Sequence, residues 1–314
     1  MRSYLLVSLL FWIAGFSEAK PLFPTSPLLE KKVKFWERVF SEFGSHQVII
    51  HDRDAPYIVL DVIDVTELGF ESNLSQGVRD AMEDSLAKYD TALESFAERG
   101  ESAARLSDLH KQIWEAYQDD DSGRERLLSG RVNLRSQGGL ADTFIRATET
   151  SKLYLPKMEK IFKAQGLPPE LTRLPFVESM FNVKARSKVG ASGIWQLMPE
   201  AARPYIRVNR KVDQRNSPVL ATQAAARILG RNYSELGDWS LAITAYNHGL
   251  GGMKRAVAQT GSRHLHDIVL TYDSRSFGFA SSNFYAEFLA ALRTHSRLTK
   301  SKLRPNIIAD TYKP

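Results

Sequence analysis

From Ser75 onward the apolar residues of this 314-residue chain recur at helical spacing, and the interruptions fall at glycine, proline and asparagine. That pattern lacks the alternating or continuous β-branched runs an extended sheet needs, so the chain is restricted to a mainly α fold. Interruptions near Arg99-Gly100, Asp119 to Gly123 and Gln137-Gly138-Gly139 mark helix ends, and Tyr154 to Ala164 is a helix stopped by Gly166 and Pro168-Pro169. Ahead of this region, Leu28 to Phe43 carries Val33, Trp36, Val39 and Phe40 at helical spacing and ends at Gly44. Gln47 to His51 and Tyr57 to Ile63, joined by the turn-forming Asp52 to Pro56, predict one β-hairpin and no other β-structure. At about 150 residues per domain the length predicts two domains. The expected division is residues 20–150, a helical domain with a small hairpin and no readable chemistry, and residues 151–314.

Composition narrows the class. Apolar residues make up 43% and charged residues 25%, with 19 glycines and 13 prolines, which excludes collagen-like, low-complexity and disordered chains. Lys and Arg total 42 against 36 Asp and Glu, and the resulting +6 is a mild bias toward anionic partners that selects none of them. The chain has no cysteine, so disulfides, thiolate metal sites and a cysteine nucleophile are excluded. Residues 1–19 read as a signal peptide: Arg2, an apolar run from Leu5 to Phe16, then Ser17-Glu18-Ala19 with cleavage after Ala19. The run is shorter than the roughly 20 residues a membrane span requires. The expectation is export across the inner membrane to a periplasmic or extracellular location, without stable membrane insertion after cleavage.

Leu174-Pro175-Phe176-Val177-Glu178-Ser179-Met180-Phe181 sets one carboxylate among apolar neighbours on a predicted helix. Desolvation disfavours the charged form and lets a Glu stay protonated, able to donate, at neutral pH. Gly190 to Pro199 then combines glycines with Gln196 and large apolar side chains, a pattern that predicts a cleft wall. Ala245-Tyr246-Asn247-His248-Gly249 follows a helical stretch from Trp239 and brings further polar groups to a glycine turn. Gly251-Gly252 reads as loop geometry, since no Gly-Lys-Ser/Thr follows to make a phosphate cradle. Trp195 and Trp239 read as core residues, Asp213 and Asp238 as helix caps, and no histidine pair has a metal-ligand spacing.

These three ordered motifs, with Gly166-Leu167-Pro168 and Leu174-Pro175 ahead of them, resemble the lytic murein transglycosylases, whose catalytic domain is similar to goose-type lysozyme. The resemblance covers residues 151–295 and implies a lysozyme-like α-helical catalytic domain. It implies that Glu178 is the single catalytic acid, and that Ser187, Gln196 and Met198, nine, eighteen and twenty residues later, line the substrate site with Tyr246 and Asn247. One departure stands out: relatives carry a Glu-Thr-Arg-x-Tyr pattern in a late helix, and Ala280-Ser281-Ser282-Asn283-Phe284 puts alanine where that second acid would be.

A glycosidase with one carboxylate needs a route other than the usual pair. The resemblance implies that Glu178 protonates the oxygen between N-acetylmuramic acid and N-acetylglucosamine and then removes the C6 hydroxyl proton, closing a 1,6-anhydro ring. The scheme uses no metal or cofactor. The implied partner is the peptidoglycan glycan strand; no protein partner is legible, and nucleotide or nucleic-acid binding is not indicated. Two alternatives remain at this point: a hydrolytic muramidase on the same fold, with a water-activating group such as Asp213, and a non-catalytic glycan-binding protein.

Overall fold

The computed structural model describes residues 21–66 and 76–300. The expected signal peptide lies outside the described residues. The first helix, α1 (Pro27–Ser41), starts where Ser26 accepts from the Leu29 amide at 3.3 Å and Pro27 pre-sets the first turn. Its stripe of Leu29, Val33, Trp36, Val39 and Phe40 is buried. Two strands follow, β1 (Gln47–Asp52) and β2 (Val59–Asp64), paired antiparallel with Ile49 opposite Val62 and a register shift at Ile50/His51. The helices α2 (Gln76–Arg99), α3 (Asp108–Tyr117) and α4 (Asp121–Leu128) come next, with a 3-10 turn at Gly100–Arg105.

The expectation of a lone hairpin needs one correction. A third strand, β3 (Leu134–Gly138), pairs antiparallel with the free edge of β1, giving the order β2-β1-β3. Leu134-Arg135-Ser136-Gln137-Gly138 has almost no apolar content, so no period-2 signal marked it; the β1 backbone recruits it as an edge strand. β1 is thereby a shared wall. Its alternate residues point to opposite faces: Val48 and Ile50 enter a core with Leu60, Tyr89, Phe96, Ile113, Tyr117 and Leu127, while Ile49 enters the larger core built by α1 and the later helices.

The smaller core is braced by one buried charge. Asp52, fully buried, receives the Arg126 guanidinium at 2.8 Å, the Tyr117 hydroxyl at 3.1 Å and the amides of Asp54 and Ala55 at 2.8 and 3.2 Å. Removing the cation leaves a buried carboxylate short of compensation. Arg126→Met is therefore expected to cost about 2 to 3 kcal/mol, read as a lower urea midpoint at unchanged slope.

The remaining helices are α5 (Ala141–Ser151), α6 (Leu155–Ala164), the five-residue α7 (Leu174–Glu178), α8 (Pro199–Ala202), α9 (Pro218–Leu236), α10 (Trp239–His248), α11 (Leu250–Thr260), α12 (Leu265–Thr271) and α13 (Phe279–Lys300). Residues Trp239–Ala245 of α10 are all buried, which makes it the central helix. Gly251 and Gly252 lie in the first turn of α11 rather than in a loop. A Cβ on Gly252 would meet the His248 ring at 2.5 Å, so glycine there serves close packing between α10 and α11. The first and last helices pack together, with Arg293 gripping Glu30 in a fork at 2.5 and 2.9 Å and the Tyr285 hydroxyl donating to the Pro24 carbonyl at 2.7 Å. A chain of rings, Phe40–Phe144 (5.1 Å between centroids) and Phe144–Phe176 (4.6 Å), connects α1 through α5 to α7. No helix among the described residues is long and apolar enough to cross a membrane.

Candidate active site

Glu178 is the last residue of α7, a helix whose Leu174, Pro175 and Phe176 are buried. The chain cannot continue helically. Met180 and Phe181 both take left-handed backbone angles (φ 48° and 58°), and the Phe181 amide returns to the Pro175 carbonyl at 3.1 Å. Non-glycine residues in that region are strained, and burial of Phe181 against Phe176 (4.6 Å between centroids) offsets the cost. Ser179 anchors the turn by donating to the Ile194 carbonyl at 2.8 Å.

The segment Ser187 to Leu197 forms the facing loop, held mostly by its own backbone. The Ser187 amide donates to the Ala191 carbonyl at 3.0 Å, and its Oγ accepts the Ala191 amide at 2.9 Å; its hydroxyl proton has no acceptor among the described residues. Gln196, at φ 44°, donates through Nε2 to the carbonyls of Gly193 (2.8 Å) and Ala185 (3.2 Å). Behind the loop, Arg215 is buried and donates to the carbonyls of Gly190 and Leu197 at 2.7 and 2.8 Å while paired with Asp213 at 2.8 Å. Asp213 is thus spent on Arg215, which holds its carboxyl below the usual range. Trp195 is wholly buried, stacked on Phe162 at 5.6 Å, with its indole N–H given to Thr222 at 2.8 Å. Both Trp195 and Trp239 belong to the core, and Asp238 caps α10.

Tyr246 closes the arrangement from α10. Its hydroxyl donates to the Trp195 carbonyl at 2.9 Å, one residue from the carbonyl that Ser179 holds. Glu178, Tyr246 and Gln196 are in this way drawn around one short stretch of backbone, Ile194 to Gln196. Asn247 is exposed and accepts from Ser281 of α13 at 2.8 Å. Met198 stands 37% exposed on the rim, and Lys184, Arg186 and Lys188 are exposed on the approach.

The electrostatics follow from this packing. Glu178 keeps an opening to solvent as a residue, yet protein atoms crowd its carboxyl, and no hydrogen bond or ion pair reaches it among the described residues. Burial, and then the charge of Glu287, push it from 4.5 up to about 8. Burial, and then the Glu178 charge, also raise the Tyr246 phenol well above its usual value, so it stays a neutral donor. Glu287, on α13, escaped the sequence reading. It belongs to no motif, and its one signal was an acid inside the apolar stripe of a long helix. Ala280, where the resemblance set the missing second acid, is exposed at the start of that helix. Among the described residues no group of three or more His, Cys, Asp or Glu could hold a metal ion.

A known family matches the stretch that carries Glu178, Gln196 and Tyr246. Residues 158–269 match the family described as Transglycosylase SLT domain. Over 192 residues the chain is 31% identical to membrane-bound lytic murein transglycosylase D of Escherichia coli K12, covering 60% of this chain and 41% of that protein. Over 96 residues it is 36% identical to a putative tributyltin chloride resistance protein of Alteromonas sp. M-1, covering 30% and 46% of the two chains. The chain thus spans less than half the length of these relatives. A solved structure of an inactive mutant of lytic transglycosylase Slt from Pseudomonas aeruginosa aligns with 69% of this chain and 38% of its own, at 17% identity and a TM-score of 0.35.

Proposed function

We propose, from the premise that residues 158–269 are a transglycosylase SLT domain, that this chain is an exported lytic transglycosylase. It cleaves the β-1,4 bond between N-acetylmuramic acid and N-acetylglucosamine in peptidoglycan. The observation that carries the reading is a carboxyl raised to about 8 at the end of α7, beside a loop stitched to both Ser179 and Tyr246. Such a group is protonated at neutral pH and basic enough, once ionised, to take a proton back.

Glu178 donates its proton to the glycosidic oxygen as the C1–O bond breaks, and the neighbouring 2-acetamido group stabilises the electron-poor C1. Ionised Glu178 then removes the C6 hydroxyl proton as that oxygen bonds to C1. The muramic acid ends as a 1,6-anhydro sugar, Glu178 recovers its proton, and no water is consumed. Ser187, Gln196, Met198, Tyr246 and Asn247 contact the glycan. Tyr246, fixed to the Trp195 carbonyl, holds the reacting sugar against Glu178, and Ser187 offers a hydroxyl proton that the loop leaves unused.

Digestion of purified sacculi followed by mass spectrometry of the fragments tests this. Anhydro-muramic ends, lighter than reducing ends by one water, are expected throughout. Reducing ends in their place would assign a muramidase, and absence of fragments under all conditions would assign a glycan-binding protein.

A further inference from the structure

Two carboxyls in this fold have neither a hydrogen bond nor an ion pair among the described residues and are pushed to about 8 by burial: Glu178 and Glu287. The register of α13 explains why they meet. Phe284, Glu287, Ala291 and His295 follow one another at intervals of three, four and four residues, so they share one face of the helix. On that face Phe284 stacks on Tyr246 (6.5 Å between centroids, 10° apart), and His295 packs on Phe176 at 5.0 Å, two residues before Glu178. Glu287 lies between these contacts and so looks onto the end of α7.

A second row of the same helix, Phe279, Asn283 and Glu287, faces the segment that precedes the SLT domain. Lys32 of α1, buried, donates to the Asn283 Oδ1 at 3.5 Å, and the Arg135 guanidinium of β3 lies 4.3 Å from the centre of the Phe279 ring. Both cations act on Glu287 and pull against its burial. Burial lowers Lys32 to about 8, with Asp54 and Asp52 pulling it up and Arg126 down, and burial and then Arg53 lower Arg135. Around Glu178 the charged or titratable neighbours among the described residues are Glu287 and Tyr246, with no cation among them.

We propose that Glu287 is a positioning carboxylate of this active site: Lys32 and Arg135 make it the member of the pair that ionises first, which keeps the catalytic proton on Glu178. The proposal rests on Glu178 being the acid and base of the reaction. Two carboxyls in one poorly solvated site do not both ionise readily, and the proton stays where no cation compensates its loss. Where Glu287 is ionised, its negative charge makes Glu178, once it has donated to the leaving oxygen, a stronger base toward the C6 hydroxyl. Glu287 neither gains nor loses a proton over the cycle. The segment ahead of the SLT domain thereby acts on the chemistry through two cations.

The test is the pH profile of strand cleavage by the full chain, wild type against Glu287→Gln, on purified glycan strands. Glu287→Gln is expected to move the alkaline limb down by about one pH unit while the rate on the acidic plateau stays within about threefold of wild type. A folded Glu287→Gln whose limb does not move overturns the proposal, as does one inactive at every pH; either result leaves Glu178 as acid untouched, whereas an active Glu178→Gln would remove both readings. Should Glu287→Gln fail to fold, carbon-13 titration of the wild-type carboxyls decides. Glu178 losing its proton as the later of two coupled steps supports the proposal; independent steps, or Glu178 first, overturn it.

Discussion

Glu178→Gln is expected to reduce peptidoglycan cleavage by at least about 10² to 10⁴-fold, to the limit of detection, because the amide can neither give nor reclaim a proton. The same variant is expected to be the more stable protein at neutral pH. An acid held at 4.5 when unfolded and about 8 when folded binds its proton more tightly in the native state. Folding stability therefore falls as pH rises through that window, and is free of the penalty below it. Glutamine removes the penalty. Unfolding midpoints of wild type and variant should coincide near pH 4 and separate progressively up to pH 8, with the variant above. Activity lost while stability is gained is a combination that damage to the fold does not produce.

Gly193→Ala is expected to be the most disruptive single methyl group in the site loop. Gly193 sits at φ +77°, and a Cβ there would lie 2.0 Å from the Arg215 carbonyl oxygen. That carbonyl has little room to retreat, since the Arg215 side chain is tied to Gly190, Leu197 and Asp213. The expected loss is about 3 kcal/mol or more, a backbone clash added to left-handed strain. Gly190→Ala supplies the comparison. At φ +100° its Cβ would meet nothing within 4 Å, so only the strain of roughly 1 to 2 kcal/mol applies. Urea denaturation of the two variants separates the terms, and glycan cleavage by Gly193→Ala should fall with the displacement of Gln196, whose amide the Gly193 carbonyl accepts at 2.8 Å.

Much of this architecture was legible from spacing. The helical periods of α1, α6 and α10, and the ends at Gly44 and Gly166, follow from local sequence, since a helix buries one stripe and stops where glycine or proline interrupts the ladder. The apolar surroundings of Glu178 were legible for the same reason: its neighbours in sequence are its neighbours in the short α7. The exchange of roles between carboxyls was not. Asp213, set out as a possible water-activating group, is consumed by Arg215, and the acid that acts on Glu178 is Glu287, more than a hundred residues away on α13.

Taken alone, the amino-acid order determined a mainly helical chain, the run that carries Glu178, and the glycine-bearing loop that follows it, because each depends on interactions within a few residues. Tertiary structure decided which strand edge captures Leu134–Gly138, which carboxyl shares the field of Glu178, and that Lys32 reaches Asn283 across 251 residues of chain. Those outcomes depend on packing between distant segments and on the loss of water it imposes, and a linear pattern carries no measure of either.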